Sequence, residues 1–215
     1  LGSVLYNYSS TKKVTLTEMI NHSKSVRMGV KKSLMVVDMP YKTYDTISST
    51  IKNVKKVLKE TKCDAVKLEG GAKIINQVKV LIKNKIPVLG HLGLLPQSNK
   101  GKFKSKGKTT REIKKLFSDA LLLQKAGVFA IVLECVKTPI AKQITKDLNI
   151  PTIGIGSSVH CDGQVLVTDD LLGLNETKIK FVKKYLNIKK YINLGLKKYA
   201  SDVKSKKYPS KKHSY

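Results

Sequence analysis

The chain has 215 residues, 42 Lys+Arg against 15 Asp+Glu, a formal charge of +27 and 41% hydrophobic residues. That length and apolar content support a sizeable buried core and exclude wholesale disorder, and no apolar run reaches the roughly 18 residues of a membrane span. Only Arg27 and Arg111 among the basic residues are arginine, the side chain that reads phosphate and guanine bidentately, so the charge fits drift toward lysine better than a nucleic-acid grip. The three cysteines, Cys63, Cys135 and Cys161, form no C-x-x-C pair and are odd in number. They imply a reducing, cytoplasmic setting rather than a disulfide framework.

In chain order, short runs rich in Val, Ile and Leu predict strands buried on both faces: Ser33–Pro40, Ala65–Gly70, Ile86–Gly93, Phe129–Cys135, Pro151–Ser157 and Gln164–Thr168. Between them apolar residues recur at helical spacing. Ile47, Ile51, Val54 and Val57 share a face, as do Ile74, Val78, Leu81 and Ile82, then Ile113, Leu116, Phe117, Ala120 and Leu123, then Ile140 and Ile144. Strands alternating with helices imply βα units, a parallel sheet and an α/β fold. Asn99–Lys108 has no periodicity and many lysines, and reads as a lid over the strand ends. From Asn175 onward the chain is a lysine-rich tail. There Ile179, Val182, Tyr185 and Leu186, and then Ile192, Leu196 and Tyr199, predict amphipathic helix.

Most of the predicted strands close on a polar or ionisable residue: Asp38, Glu69, His91, Glu134 and Ser157. Parallel α/β folds place function at these ends, and buried acids there need a cation or a proton. Asp38 and Glu69 suit Mg²⁺, which takes one or two carboxylates and keeps its other positions for water and substrate. Lys67 lies two residues before Glu69, so both project to one side of a strand, where the lysine calls for an anion. Glu134 closes an apolar run. Burial there raises a carboxylate's pKa toward neutrality and suits it to general-base work. The residues alone point to a metal-assisted reaction on a small oxyacid.

Five segments carry a family likeness: Asp38-Met39-Pro40, the VKLEGG run of Val66–Gly71, the GHLGLLPQS run of Gly90–Ser98, Leu133-Glu134-Cys135-Val136, and the CDGQVLV run of Cys161–Val167. In order and spacing they resemble ketopantoate hydroxymethyltransferase, and Val14–Met19 and Tyr208–Tyr215 extend the likeness to both ends. The resemblance implies a (β/α)8 TIM barrel of the phosphoenolpyruvate/pyruvate type as a single domain over 1–215, with 175–215 its basic helical tail. It implies hydroxymethyl transfer from the cosubstrate 5,10-methylenetetrahydrofolate to 3-methyl-2-oxobutanoate, in a homo-oligomer, often a decamer. It assigns Mg²⁺ to Asp38 and Glu69, the ketoacid to Asp38, Lys67 and His91, and the catalytic base to Glu134.

The chain also departs from the family pattern. An Asp-Ser pair that binds metal and ketoacid in the family would precede Leu1. The barrel is therefore expected to be N-terminally incomplete, lacking the first strand, the first helix and most of the second strand, whose remnant would precede Asn7. The lid segment is altered as well. Three other readings stand beside this one: another metal-dependent 2-oxo acid carbon–carbon bond enzyme of the same barrel superfamily, a lysine-rich nucleic-acid-binding protein, and a decayed non-catalytic relative.

Overall fold

The computed structural model describes residues 1–98, 104–176 and 179–215. These divide into two compact units, Leu1–Val165 and Leu166–Tyr215.

The first unit is built on a six-stranded sheet in which strands adjacent in sequence are adjacent in space. The strands are β1 (Val36–Asp38), β2 (Ala65–Glu69), β3 (Val88–Gly93), β4 (Ala130–Glu134), β5 (Thr152–Ile155) and β6 (Gly163–Gln164), and every pairing is parallel. Sequential parallel order requires crossovers on one face, and helices supply most of them: α3 (Ile47–Thr61), α4 (Ile75–Lys83), α5 (Thr110–Ala126) and α6 (Thr138–Asp147). Before β1 come α1 (Gly2–Leu5) and α2 (Leu16–Gly29). The result is a parallel half-barrel.

Local chemistry sets the helix limits. Thr15 with Glu18 and Thr46 with Ser49 form capping boxes that start α2 and α3. Thr109 accepts from the Glu112 N–H to start α5, and Gly127 at φ 96 ends it. In α3 the buried stripe is Thr50, Val54, Val57 and Thr61, rotated from the predicted face so that Ile47 is exposed.

Strand alternation sorts the sheet into two faces. Val37, Val66, Leu68, Val88, Leu92, Ile131 and Leu133 pack with Val54, Val57, Val78, Leu81, Leu123 and Ile144 in one apolar core. The register places Asp38 beside Lys67, Glu69 beside His91 and Gly93 beside Glu134. All of these therefore belong to the opposite face, with Asp38, Glu69, Gly93 and Glu134 closing their strands and Lys67 and His91 two residues before the close.

Three expectations are corrected. The opening residues, read as a strand remnant, are helical over Gly2–Leu5. No strand pairs with them among the described residues, and a helical turn satisfies their backbone locally, Leu5 N–H donating to the Leu1 carbonyl at 2.9 Å. The sixth strand, expected over Gln164–Thr168, is only Gly163–Gln164. It pairs with β5 alone, and Val165 and Val167 remain exposed. In the second unit, helix was expected from Ile179. Instead α7 spans Thr168–Leu171 and α8 spans Ile188–Lys204. The Tyr185 N–H donates to the Leu171 carbonyl, which withholds it from a helix of its own, and the Asn187 side chain caps α8, whose first residue, Ile188, donates its N–H to the Leu172 carbonyl.

Candidate active site

The strand ends bring Asp38, Lys67, Glu69, His91 and Glu134 together. Lys67 Nζ lies 3.2 Å from Asp38 Oδ1 and 3.2 Å from His91 Nδ1. An ammonium has only donors to offer, so Nδ1 accepts and the ring proton resides on Nε2. Nε2 lies 3.1 Å from Glu134 Oε2, yet it is out of line for a hydrogen bond and has no hydrogen-bond partner. His91 is 1% exposed. A buried donor without a partner is costly, so this N–H is available to an oxygen of a bound molecule.

Burial dominates the site's proton chemistry. It pushes His91 down to about 3, with the Lys67 charge acting in the same direction, so the imidazole is neutral near pH 7. Burial also raises Glu134 to about 7, opposed by Lys67 and assisted by Asp38. Glu69 likewise rises to about 7 through burial, against the Gln97 N–H and Lys67 and with the charges of Asp38 and Glu134. Two carboxyls near neutrality beside one lysine make a site that can take up a proton and is short of positive charge.

The surrounding chain fixes these groups. The Gln97 backbone N–H donates to Glu69 Oε2 at 3.0 Å, and its side-chain amide donates to the Met39 carbonyl at 2.8 Å. Tyr44 Oη donates to Gln97 Oε1 at 2.8 Å. Gln97 thus ties the loop after β3 to Glu69 and to the residue following Asp38. Burial and the nearby Glu69 raise the Tyr44 phenol, which stays protonated.

Two glycines allow the close approach. Gly93 has φ +97, and a Cβ there would lie 2.2 Å from the Glu134 carbonyl oxygen. Without one, the Leu94 N–H reaches that oxygen at 2.8 Å. A Cβ on Gly71 would lie 2.1 Å from Asp119 Cγ. In its absence Asp119 of α5 accepts from the Ala72 N–H at 3.0 Å and braces the turn behind Glu69.

Ser157 lies outside the cluster. Its hydroxyl donates to the Leu133 carbonyl and accepts from the Val136 N–H, a bracing role between β4 and the loop after β5. Of the expected lid, residues 99–103 lie outside the described residues. Gln97 and Tyr44 were missed as functional residues. Gln97 sat inside a recognised run, but only its burial beside Glu69 reveals what it holds. No cluster of three or more His, Cys, Asp or Glu side chains able to hold a metal occurs among the described residues. Mg²⁺ needs fewer protein ligands, and a carboxylate pair that includes the burial-raised Glu69 matches its hard-oxygen preference.

A family model for ketopantoate hydroxymethyltransferase matches residues 1–211. The chain is 64% identical to the 3-methyl-2-oxobutanoate hydroxymethyltransferase of Pelagibacter ubique (strain HTCC1062), over all of this chain and 83% of that protein. It is 48% identical to the protein of the same name from Acetivibrio thermocellus, over all of this chain and 77% of that one. Among solved structures it is similar to 2,3-dimethylmalate lyase, a PEP mutase/isocitrate lyase superfamily member. The trigonal crystal form gives a TM-score of 0.54 at 9% identity, over 99% of this chain and 73% of that chain. The triclinic form gives 0.52 at 12% identity, over 71% of this chain and 55% of that one. At such identity this likeness carries the fold alone. No helix among the described residues is long and apolar enough to cross a membrane. Matched along nearly its whole length, the chain belongs to the ketopantoate hydroxymethyltransferase family of transferase enzymes.

Proposed function

We propose that the protein converts 3-methyl-2-oxobutanoate, 5,10-methylenetetrahydrofolate and water to 2-dehydropantoate and tetrahydrofolate, a step of pantothenate synthesis. The observation that carries this reading is Glu134, a carboxyl near pKa 7 beside Lys67 and the unpartnered His91 N–H. Such a group accepts a proton from carbon when the resulting negative charge is held nearby.

Asp38 and Glu69 would hold Mg²⁺, which when bound supplies Lewis acidity toward the ketoacid's oxygens. Lys67, together with Asp38, orients the ketoacid and faces its negative charge. Glu134 Oε2 takes the proton from C3, and the His91 Nε2–H donates to the oxygen on which charge collects. Carbon C3 then bonds to the folate methylene as one of that carbon's two C–N bonds breaks, and the freed folate nitrogen takes up a proton. Water supplies the hydroxyl as tetrahydrofolate departs. Val36, Val132, Ile153 and Ile155 share the site face and offer an apolar wall to the isopropyl group.

The half-barrel, on this reading, is part of a (β/α)8 barrel of the phosphoenolpyruvate/pyruvate type, which the likeness to the PEP mutase/isocitrate lyase superfamily supports. A cytosolic homo-oligomer rests on the family resemblance. The test is turnover by the purified protein. Tetrahydrofolate release that requires both 3-methyl-2-oxobutanoate and Mg²⁺ is expected, and folded protein that releases none would overturn the proposal.

A further inference from the structure

A buried donor and a buried carboxylate stand side by side in the site without bonding. His91 Nε2 lies 3.1 Å from Glu134 Oε2 and still has no hydrogen-bond partner. Two such groups gain free energy by turning into line. Alignment would consume the N–H that a substrate oxygen needs. It would also favour the charged form of Glu134 and so weaken it as a base. Some feature of the chain must hold the two out of line.

The backbone after Glu134 is unusual in a way that bears on this. Among the described residues, six other than glycine have positive φ: Asn7, Lys42, Lys62, Lys85, Cys135 and Lys206. Five of them are exposed, whereas Cys135, at φ 52, is buried and directly follows Glu134. A left-handed residue with a Cβ costs free energy, and cysteine lacks the short polar oxygen with which Asn or Asp offsets that cost. Such a conformation persists only where its surroundings over-determine it, and it recurs at functional sites.

Here four hydrogen bonds fix the turn. On the strand side, the Glu134 carbonyl accepts the Leu94 N–H and the Cys135 N–H donates to the Ile155 carbonyl, both at 2.8 Å. Past the turn, the Cys135 carbonyl accepts the Lys106 N–H at 2.8 Å, and the Val136 N–H donates to the Ser157 hydroxyl at 2.9 Å. Three parts of the chain thus close on the residue after the base: the loop after β3, β5 with its following loop, and the segment before α5. An extended Cys135 would lead Val136 away from Ser157 and Lys106, and would release the Glu134 backbone. His91 is fixed from its other side by Lys67 at Nδ1. Burial pushes the Cys135 thiol up to about 11, so it stays protonated and carries no proton itself.

We propose that the left-handed turn at Cys135 positions the base: it holds Glu134 beside the His91 N–H but out of line with it, so that carboxylate and donor both stay free for the ketoacid. Cys135 is a positioning residue that acts through Glu134. This inference rests on the proposed role of Glu134 and adds what aims it.

The test compares Cys135→Gly, Cys135→Val and Ser157→Ala with the wild type, each fold checked by thermal melting. Glycine adopts φ 52 freely, so Cys135→Gly should exchange the C3 proton of 3-methyl-2-oxobutanoate at the wild-type rate. Valine is excluded from that region, so Cys135→Val should slow exchange by roughly 10–100-fold with ketoacid affinity unchanged. Its His91 Nε2–H proton resonance, read by NMR without substrate, should move downfield as the bond to Glu134 forms. Ser157→Ala loosens the turn from outside and should move the same resonance in the same direction, which keeps the test decisive if the valine variant does not fold. A folded valine variant with wild-type exchange, a glycine variant as slow as the valine one, or a His91 resonance unmoved in Ser157→Ala would each overturn the assignment. Absence of exchange in the wild type would instead overturn the proposed reaction, while the His91 resonance would still decide what the turn does.

Discussion

Replacing Glu134 with glutamine keeps the side chain's size and removes its ability to accept a proton. The wild-type carboxyl, raised to about 7 by burial, is about one tenth ionised at pH 6 and about nine tenths at pH 8. If Glu134 is the base, C3 proton exchange of 3-methyl-2-oxobutanoate at saturating Mg²⁺ must therefore rise about tenfold between those values and level off above pH 8. Exchange is read by loss of the C3 proton resonance in D₂O. Glu134→Gln should slow it ~10²–10⁴-fold, the usual contribution of a general base, and flatten the pH profile. Ketoacid binding should persist, because Lys67 and the carboxylate pair are untouched. Exchange in the variant at the wild-type rate, or a wild-type rate that falls as pH rises through 7, would refute the assignment. The direction is the informative part: His91, held neutral down to about 3, cannot produce a rise centred near 7.

Two further substitutions test the scaffold. Gln97→Ala removes buried bonds to the Tyr44 hydroxyl and the Met39 carbonyl. It should lower stability by ~2 kcal/mol or more and weaken Mg²⁺ binding, read by calorimetric titration, by roughly 10–100-fold. An unaltered titration would show that Gln97 does not position the carboxylates. Gly93→Ala places a Cβ 2.2 Å from the Glu134 carbonyl oxygen at φ +97. A loss of at least ~2 kcal/mol in chemical denaturation is expected, and a variant as stable as wild type would contradict the close β3–β4 approach.

Much of the fold was legible because the physics that sets it is local. A strand buried on both faces must be apolar throughout, as the runs at Val66 and Ile131 are, and a helix on the sheet must repeat its apolar residues near 3.6, as Leu116, Ala120 and Leu123 do. The errors fell where pairing decides. Ile179–Leu186 has helical spacing, but near its end the Tyr185 N–H goes to the Leu171 carbonyl. Gln164–Thr168 carries the apolar run of a buried strand, but β6 holds only two residues. A local pattern cannot report whether a distant partner will take its hydrogen bonds.

The sequence by itself determined which residues lie at or near the strand ends, and therefore that Asp38, Glu69, His91 and Glu134 gather on one rim, because parallel βα units carry every strand in the same direction. Only the tertiary structure decided their states. Register set Lys67 against His91 Nδ1, which places the ring proton on Nε2. Burial brought two carboxyls to about 7, and the turns at Gly71 and Gly93 let Asp119 and Glu134 close in. Proton affinity depends on what surrounds a group in space, and residues such as Tyr44 and Gln97, 53 positions apart in sequence, become neighbours only in the folded chain.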